Sequence, residues 1–390
     1  MQTPQWIHNE LSTLEDKAQR RYLRQLSNTG GVIQDGDKRY LNFSSNDYLD
    51  LANDPDVIQE SRSYLETYGA GSTASRLIAG TLSPHTELES ALADHKKTDS
   101  ALVFGSGFLT NVGVIPSLVG RNDHIFVDRL AHASIIDGIT LSRAHCHRFR
   151  HNDVAHLQQL LHKHFSSGRR LIITESVFSM DGDLAPLEQL AEVARDQEAL
   201  LLIDDAHATG VFGPDGAGLT AQANVLPAVT ASMGTLSKAL GGYGGFVGCS
   251  AEVREFFVNR ARSFIYSTAL PPAVLGAALG ALRKIRTSPG LREQLLNKAD
   301  SFRHLLQQKG LHTGHSESQI IPVFIGPNDT TLKVAERLRN EGIFAVPIRP
   351  PTVPKGTARL RLSVTRAHTD TDLDRVVCLI QQAAEQEGVI

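Results

Sequence analysis

The sequence predicts an α/β fold: a large unit around a mostly parallel sheet, then a smaller α+β unit. Three observations predict it. Apolar runs such as Leu200–Ile203 recur from residue 100 onward and read as strands buried on both faces. Each run is followed by a polar, glycine-rich turn and then a helical pattern, the rhythm of a doubly wound sheet. Near Pro271 and Pro272 the character changes to long helices and then short strands. The boundaries read as an N-terminal arm over residues 1–45, a large unit over 46–272 and a small unit over 273–390.

In chain order, residues 5–26 predict a helix, with Leu11, Leu14 and Ala18 at helical spacing, broken by Gly30-Gly31. Arg20, Arg21 and Arg24 read as solvated helix charges. Tyr40, Leu41 and Phe43 predict a short strand, and SSND a turn or cap. Helical segments flank a loop dense in Gly and Ser over Gly69–Ser75, with Thr86 to Glu89 read as a capping box. SALVF is a strand, and the Gly-Ser-Gly turn after it presents backbone N–H groups at a helix N-terminus, as phosphate sites do. DHIFVD is a second strand, followed by His132. RAHCHRFRHND gathers His145, Cys146, His147 and His151, but its spacing matches no zinc signature, so no metal is expected. LIITES is another strand, opening into a loop with Glu175, Ser179, Asp181 and Asp183.

Two stretches carry the chemistry. LLLIDDAHATG places Asp204, Asp205 and His207 at the carboxyl end of a strand, where open α/β sheets bind ligands. Thirty residues on, SMGTLSKALGGYGGFVG sets Lys238 among small residues that let its amine approach a flat ligand. Alone, Lys238 reads as an ordinary surface lysine. Paired with the strand-end carboxylate and histidine, it points to pyridoxal phosphate, whose aldehyde captures the amine and whose ring nitrogen wants an aspartate. Thr235 is placed to offer a hydroxyl to the phosphate. Beyond residue 310, Pro347, Pro350, Pro351 and Pro354 predict a rigid loop without a regular element. Arg349, Arg359, Arg361 and Arg366 are candidates for gripping a carboxylate.

A formal charge of −3 on 390 residues gives no sign of a nucleic-acid or membrane-surface partner. Three cysteines without a pairing pattern, and a start without an apolar core, predict a reducing, cytoplasmic setting. There is no G-x-S-x-G elbow, and GGYGG is not a dinucleotide fingerprint.

LNFSSNDYL, TESVFSMDGD, DDAHATG, GTLSKALGG, YSTALPP and IRPPTVPKGTARLRLSVTRAH, in this order, resemble the α-oxoamine synthases. These are fold-type I pyridoxal-phosphate transferases with a seven-stranded-type sheet. The resemblance spans about residues 40–370. It implies Lys238 as the Schiff-base lysine, Asp204 at the ring nitrogen and His207 at the phenolic oxygen. It implies His132 stacked on the ring, Gly107 and Phe108 at the phosphate, and Ser179 and Thr235 completing the cofactor site. Substrate contacts would come from His132, Thr352, Arg361 and an N-terminal arginine, Arg20 or Arg21. It also implies a homodimer in which Ser267 and Thr268 serve the neighbouring site. FSSNDYL, RFRHND and IRPPTVP are most like members that condense L-alanine with pimeloyl-CoA or a pimeloyl carrier protein in biotin biosynthesis. The nearest alternative is glycine with acetyl-CoA. Asp50, Ser176 and Ser237 stand where the commoner pattern has glycine, and the glycine pair near Ala74 is altered.

Overall fold

The computed structural model describes every residue except 1–2, 18, 165–166 and 223–224. Its centre is a seven-stranded sheet. The strands, in chain order, are β1 (Ser100–Phe104), β2 (His124–Asp128), β3 (His145–Phe149), β4 (Arg170–Glu175), β5 (Leu200–Asp204), β6 (Ala231–Thr235) and β7 (Gly245–Cys249). Their spatial order is β1-β7-β6-β5-β4-β2-β3. Neighbouring strands from β6 across to β3 pair in parallel, while β7 runs antiparallel to both β1 and β6. Side chains alternate between two cores. Leu201, Ile203, Ile172 and Phe126 face one, and Leu202, Ile173, Leu171 and Ile125 face the other. That two-sided burial is why these strands read as continuous apolar runs.

The helix Pro272–Thr287 opens where the composition changed and lies along Pro55–Tyr68. Lys284 pairs with Asp56 at 2.6 Å across that contact. The C-terminal unit holds the antiparallel strands Ile320–Gly326, Ala358–Ser363 and Val346–Ile348. The strand Lys38–Asn42 pairs with Val32–Asp35 and, in parallel, with Ile343–Phe344. The N-terminal segment is thereby joined to the C-terminal one.

Three expectations change. The first helix covers Gln5–Asp16 and not 5–26; Ala18 lies outside the described residues. That helix buries no side chain, so only local propensity sustains it, and propensity is weak. The next helix begins at Ser83, so Thr86 and Glu89 lie inside it and form no capping box there. Glu89 instead accepts from buried Arg76 at 2.8 Å and from Arg254 at 3.0 Å. The region around Pro347 does contain a strand, at the edge of its sheet, where a missing N–H is tolerated. The stretch 232–248 takes in most of β6 and β7, and Lys238 sits on the connection 236–244 between them. Among the described residues no helix is long and apolar enough to cross a membrane.

Candidate active site

The carboxyl ends of β4, β5 and β6 meet the start of the helix Gly107–Leu118 and the loop carrying Lys238. Asp204 ends β5 with its side chain buried. One carboxylate oxygen accepts from the Ala206 N–H at 3.1 Å, the other from Asn111 Nδ2 at 2.9 Å. Asn111 also donates to Ser134 Oγ at 2.9 Å. The Ser134 hydroxyl lies 2.8 Å from His132 Nδ1, and the Ser134 N–H donates to that same nitrogen at 3.2 Å. Nδ1 is therefore an acceptor, and a neutral His132 carries its proton on Nε2. Burial lowers the His132 pKa, Lys238's charge adds to that, and Asp204 opposes it.

Asp205 has another task. It is fully buried, paired with Lys96 at 2.5 Å, and accepts from Ser176 Oγ at 2.5 Å. A Cβ on Gly218 would overlap this pair, lying 1.9 Å from Asp205 Oδ2. Of two adjacent aspartates, Asp204 serves the site and Asp205 the core.

Lys238 is half-buried, and its Nζ lies 2.9 Å from His207 Nε2. The other ring nitrogen of His207 is 2.7 Å from the Tyr48 hydroxyl. Burial lowers the pKa of His207, with Lys238 and Arg361 adding to it. Lys238 falls to about 8, chiefly through desolvation and despite Asp204 and Glu175, so a minor but appreciable share of its amine is neutral near physiological pH. Glu175, at the end of β4, rises to about 8, through burial first and Asp204's charge second.

The phosphate-like end of the site is built from glycine. Ser106 caps the helix by accepting from the Leu109 N–H at 3.1 Å, leaving Gly107 and Phe108 in the first turn, where N–H groups lack intrahelical partners. A Cβ on Gly245 would lie 2.5 Å from Gly107 N, so only glycine lets β7 pass this helix end. Thr235 Oγ1 donates to Gly244 O at 2.9 Å, accepts from the Ser237 N–H at 3.2 Å and lies 2.8 Å from Ser237 Oγ. Ser237 is exposed and Thr235 is not, so the serine is the freer hydroxyl.

Arg361 completes the wall. It donates to Ser179 O at 2.6 Å, Ser363 Oγ at 2.8 Å and Asn46 Oδ1 at 3.2 Å. The Tyr48 hydroxyl also reaches Asn46 Oδ1, at 3.2 Å. Arg359 instead pairs with Asp181 at 2.5 Å and packs 4.1 Å over the Phe324 ring. Arg366 binds Leu49 O.

Lys238, His207, Asp204, His132, Thr235, Gly107, Phe108, Ser179 and Arg361 thus line one region. Thr352 stands apart on an exposed turn, its N–H donating to Arg349 O. Arg20 pairs with Glu15 at 3.2 Å and Arg21 is exposed, so one chain does not bring either into the site. Ser267 is half-buried and Thr268 exposed on a strand bridge to Ser75. Asn46, Tyr48, Asn111 and Ser134 were not anticipated, and Glu175 was noted only as a polar residue after its strand. Only NDYL, as a motif, marked two of them.

The histidine group divides. His145 and His147 on β3 join His124 and His164, with His124 Nδ1 2.8 Å from His147 Nε2 and the His147 and His164 rings stacked at 3.9 Å. His151 points away, toward Asp128 and Asp183. Among the described residues no three His, Cys, Asp or Glu are arranged to hold a metal.

Pyridoxal phosphate fits these residues. A partly neutral lysine amine, a fixed carboxylate, a neutral histidine and a glycine-built helix end face one region. The buried Asn111 Oδ1 and Glu175 Oε1 have no partner among the described residues.

Residues 38–380 match the model of the aminotransferase class I and II family. The chain is 46% identical to the 8-amino-7-oxononanoate synthase of Geobacter sulfurreducens, covering 98% of this chain and 99% of that one. It is 44% identical to that of Citrifermentans bemidjiense, covering 99% and 100%. A serine palmitoyltransferase from S. paucimobilis with bound PLP–myriocin superposes with a TM-score of 0.93 at 31% identity, covering 98% of each chain. The 8-amino-7-oxononanoate synthase of Francisella tularensis does so with a TM-score of 0.78 at 28% identity, covering 90% of this chain and 99% of that one. Motifs, sheet order and near-full-length identity agree: the chain belongs to the class I and II aminotransferase family, among the pyridoxal-phosphate-dependent 8-amino-7-oxononanoate synthases.

Proposed function

We propose that this chain condenses L-alanine with pimeloyl-CoA or a pimeloyl carrier protein, giving 8-amino-7-oxononanoate, CO2 and the free thiol, for biotin biosynthesis. The observation that carries the reading is the hydrogen-bonded line from Lys238 through His207 and Tyr48 to Asn46 and Arg361. It sets a partly neutral amine and a carboxylate-binding guanidinium in one wall.

When bound, pyridoxal phosphate supplies an aldehyde that captures amines and a ring that accepts electrons from the adjacent carbon. Lys238 Nζ would hold the aldehyde and, when free, would serve as base for the α-proton of the amino acid; an amine with a pKa near the working pH suits this. Asp204, fixed by Asn111 and the Ala206 N–H, would hold the ring nitrogen. His207 Nε2 would bind the phenolic oxygen, and Tyr48 holds the ring of that histidine. His132, oriented by Ser134, would pack against the cofactor. The N–H groups of Gly107 and Phe108 bind phosphate, with Thr235, Ser237 and Ser179 around it. Arg361 takes the amino-acid carboxylate. Thr352 and Arg20 or Arg21 act on the acyl donor, brought closer when two chains pair. In that homodimer Ser267 and Thr268 reach the partner's phosphate. The free cysteines suit a reducing cytoplasm.

The visible band of the holoprotein tests the choice of amino acid. L-Alanine should shift it at far lower concentration than glycine. A stronger response to glycine transfers the reading to the acetyl-CoA reaction of the wider family.

A further inference from the structure

His151 lies outside the cofactor wall, just past the end of β3, and is mostly buried. Its Nδ1 is 3.0 Å and 3.1 Å from the two oxygens of Asp128, the last residue of β2. Its Nε2 is 2.7 Å from Asp183 Oδ2. A carboxylate only accepts, so both ring nitrogens must donate, and the ring is an imidazolium between two carboxylates. Burial pulls its pKa down, but hydrogen bonds to Asp128 and Asp183 and their charges outweigh that and raise it to about 10. Asn152 adds to the clasp. Its N–H donates to Asp128 at 2.9 Å, and its side-chain amide to Asp183 at 3.1 Å and Leu184 O at 3.0 Å.

The clasp grips one face of the loop 176–185. That loop closes on itself through a Val177–Leu184 bridge and through Phe178 N–H to Asp183 O at 3.1 Å. The Phe178 ring stands edge-on to His151, 4.4 Å between centroids. The opposite face of the loop meets the C-terminal unit. There Ser179 O accepts from Arg361 and Asp181 from Arg359, while Gly182 O accepts from Ser318 Oγ at 2.8 Å. The loop is thus a bridge whose sheet end is pinned by His151 and whose far end holds Arg361.

We infer that His151 is a positioning residue for amino-acid binding: pinned between Asp128 and Asp183, it fixes the loop whose Ser179 carbonyl aims the Arg361 guanidinium. The inference rests on the proposed role of Arg361. It also separates His151 from the neighbouring histidines, whose ring contacts lie with His124 and His164.

The test compares wild type, His151→Gln and Asp183→Asn as purified holoproteins, alone and combined with Arg361→Lys. A glutamine amide cannot donate to both carboxylates. Both clasp variants should keep the visible band, because no cofactor-facing residue is altered. They should need about tenfold more L-alanine for half-maximal band shift, the effect of loosening one charge-assisted hydrogen bond. KM for L-alanine should rise more than kcat falls. In the Arg361→Lys background the same changes should add less than about twofold, since both act through one group. Unchanged L-alanine affinity in a folded clasp variant overturns the inference, as does a full, additive loss in the Arg361→Lys background. If His151→Gln does not fold, Asp183→Asn, which removes one charge and keeps an acceptor, decides alone. A wild type that ignores L-alanine overturns the functional reading instead.

Discussion

At the scale of single residues, the proposed chemistry rests on a partly desolvated lysine. Lys238 is drawn down to about 8 mainly by burial, which suits the proposed double role of nucleophile and base. Lys238→Ala should abolish turnover and the visible band while leaving the melting temperature within a few degrees; surviving turnover would remove Lys238 from its role. Tyr48 deserves equal weight in the wall. Tyr48→Phe keeps the ring but deletes the hydroxyl 2.7 Å from His207 Nδ1. It should retain cofactor and shift the pH dependence of L-alanine binding, measured by band titration across pH 6–9. An unchanged profile would mean the hydroxyl does not act on His207. The departures from glycine also resolve at this scale. Asp50 holds the left-handed backbone, φ 57°, that a glycine adopts freely, and aspartate is among the residues that tolerate it. Ser176 adds a bond to the buried Asp205, and Ser237 a hydroxyl beside Thr235.

At the scale of elements, two devices hold strand ends in register. One is the His151 clasp across β2, β3 and the loop after β4. The other is Lys96–Asp205, an ion pair with almost no exposure. Lys96→Met would leave a buried carboxylate with only the Ser176 hydroxyl and the Leu219 N–H. It should cost about 3–5 kcal/mol of stability in chemical denaturation. A loss below about 1 kcal/mol would show that the carboxylate is relieved by protonation or water. Strands β1, β2, β4 and β5, the helix after Gly-Ser-Gly and the glycine-rich setting of Lys238 were legible in the sequence, because apolar runs and glycine clusters are contiguous signals; β3, masked by its histidines, and β6 and β7, masked by small residues, were not read as strands. The wall behind His207 was not. Tyr48 meets His207 across 159 residues and Asn46 meets Arg361 across 315, distances over which local pattern says nothing. The strand containing Pro347 escaped for another reason: its position at a sheet edge, which excuses the proline, is a tertiary fact.

At the scale of the whole molecule, burial of histidines sets the acid limit. His85, His95 and His368 are lowered from 6.5 to about 4, in each case chiefly by desolvation. The unfolded chain binds protons at these sites more readily than the folded one. Their contribution to stability is whole above pH 6.5 and is lost as pH falls toward 4. The melting temperature should therefore drop across that window, and His95→Gln should flatten the drop. His151 runs the other way. Its contribution is whole below pH 6.5 and fades as pH rises through about 10, so His151→Gln should lose most at low pH relative to wild type. A His151→Gln deficit that does not shrink with rising pH would contradict a charged clasp between Asp128 and Asp183.

Product analysis reads the proposed reaction itself. The holoprotein is incubated with L-alanine and pimeloyl-CoA, and separately with glycine and acetyl-CoA, while CO2, free CoA and the amino ketone are measured. The first mixture should yield 8-amino-7-oxononanoate, CO2 and CoA in equal amounts, and the second little product. Product from glycine and acetyl-CoA, with none from L-alanine and either pimeloyl thioester, would contradict the proposed reaction.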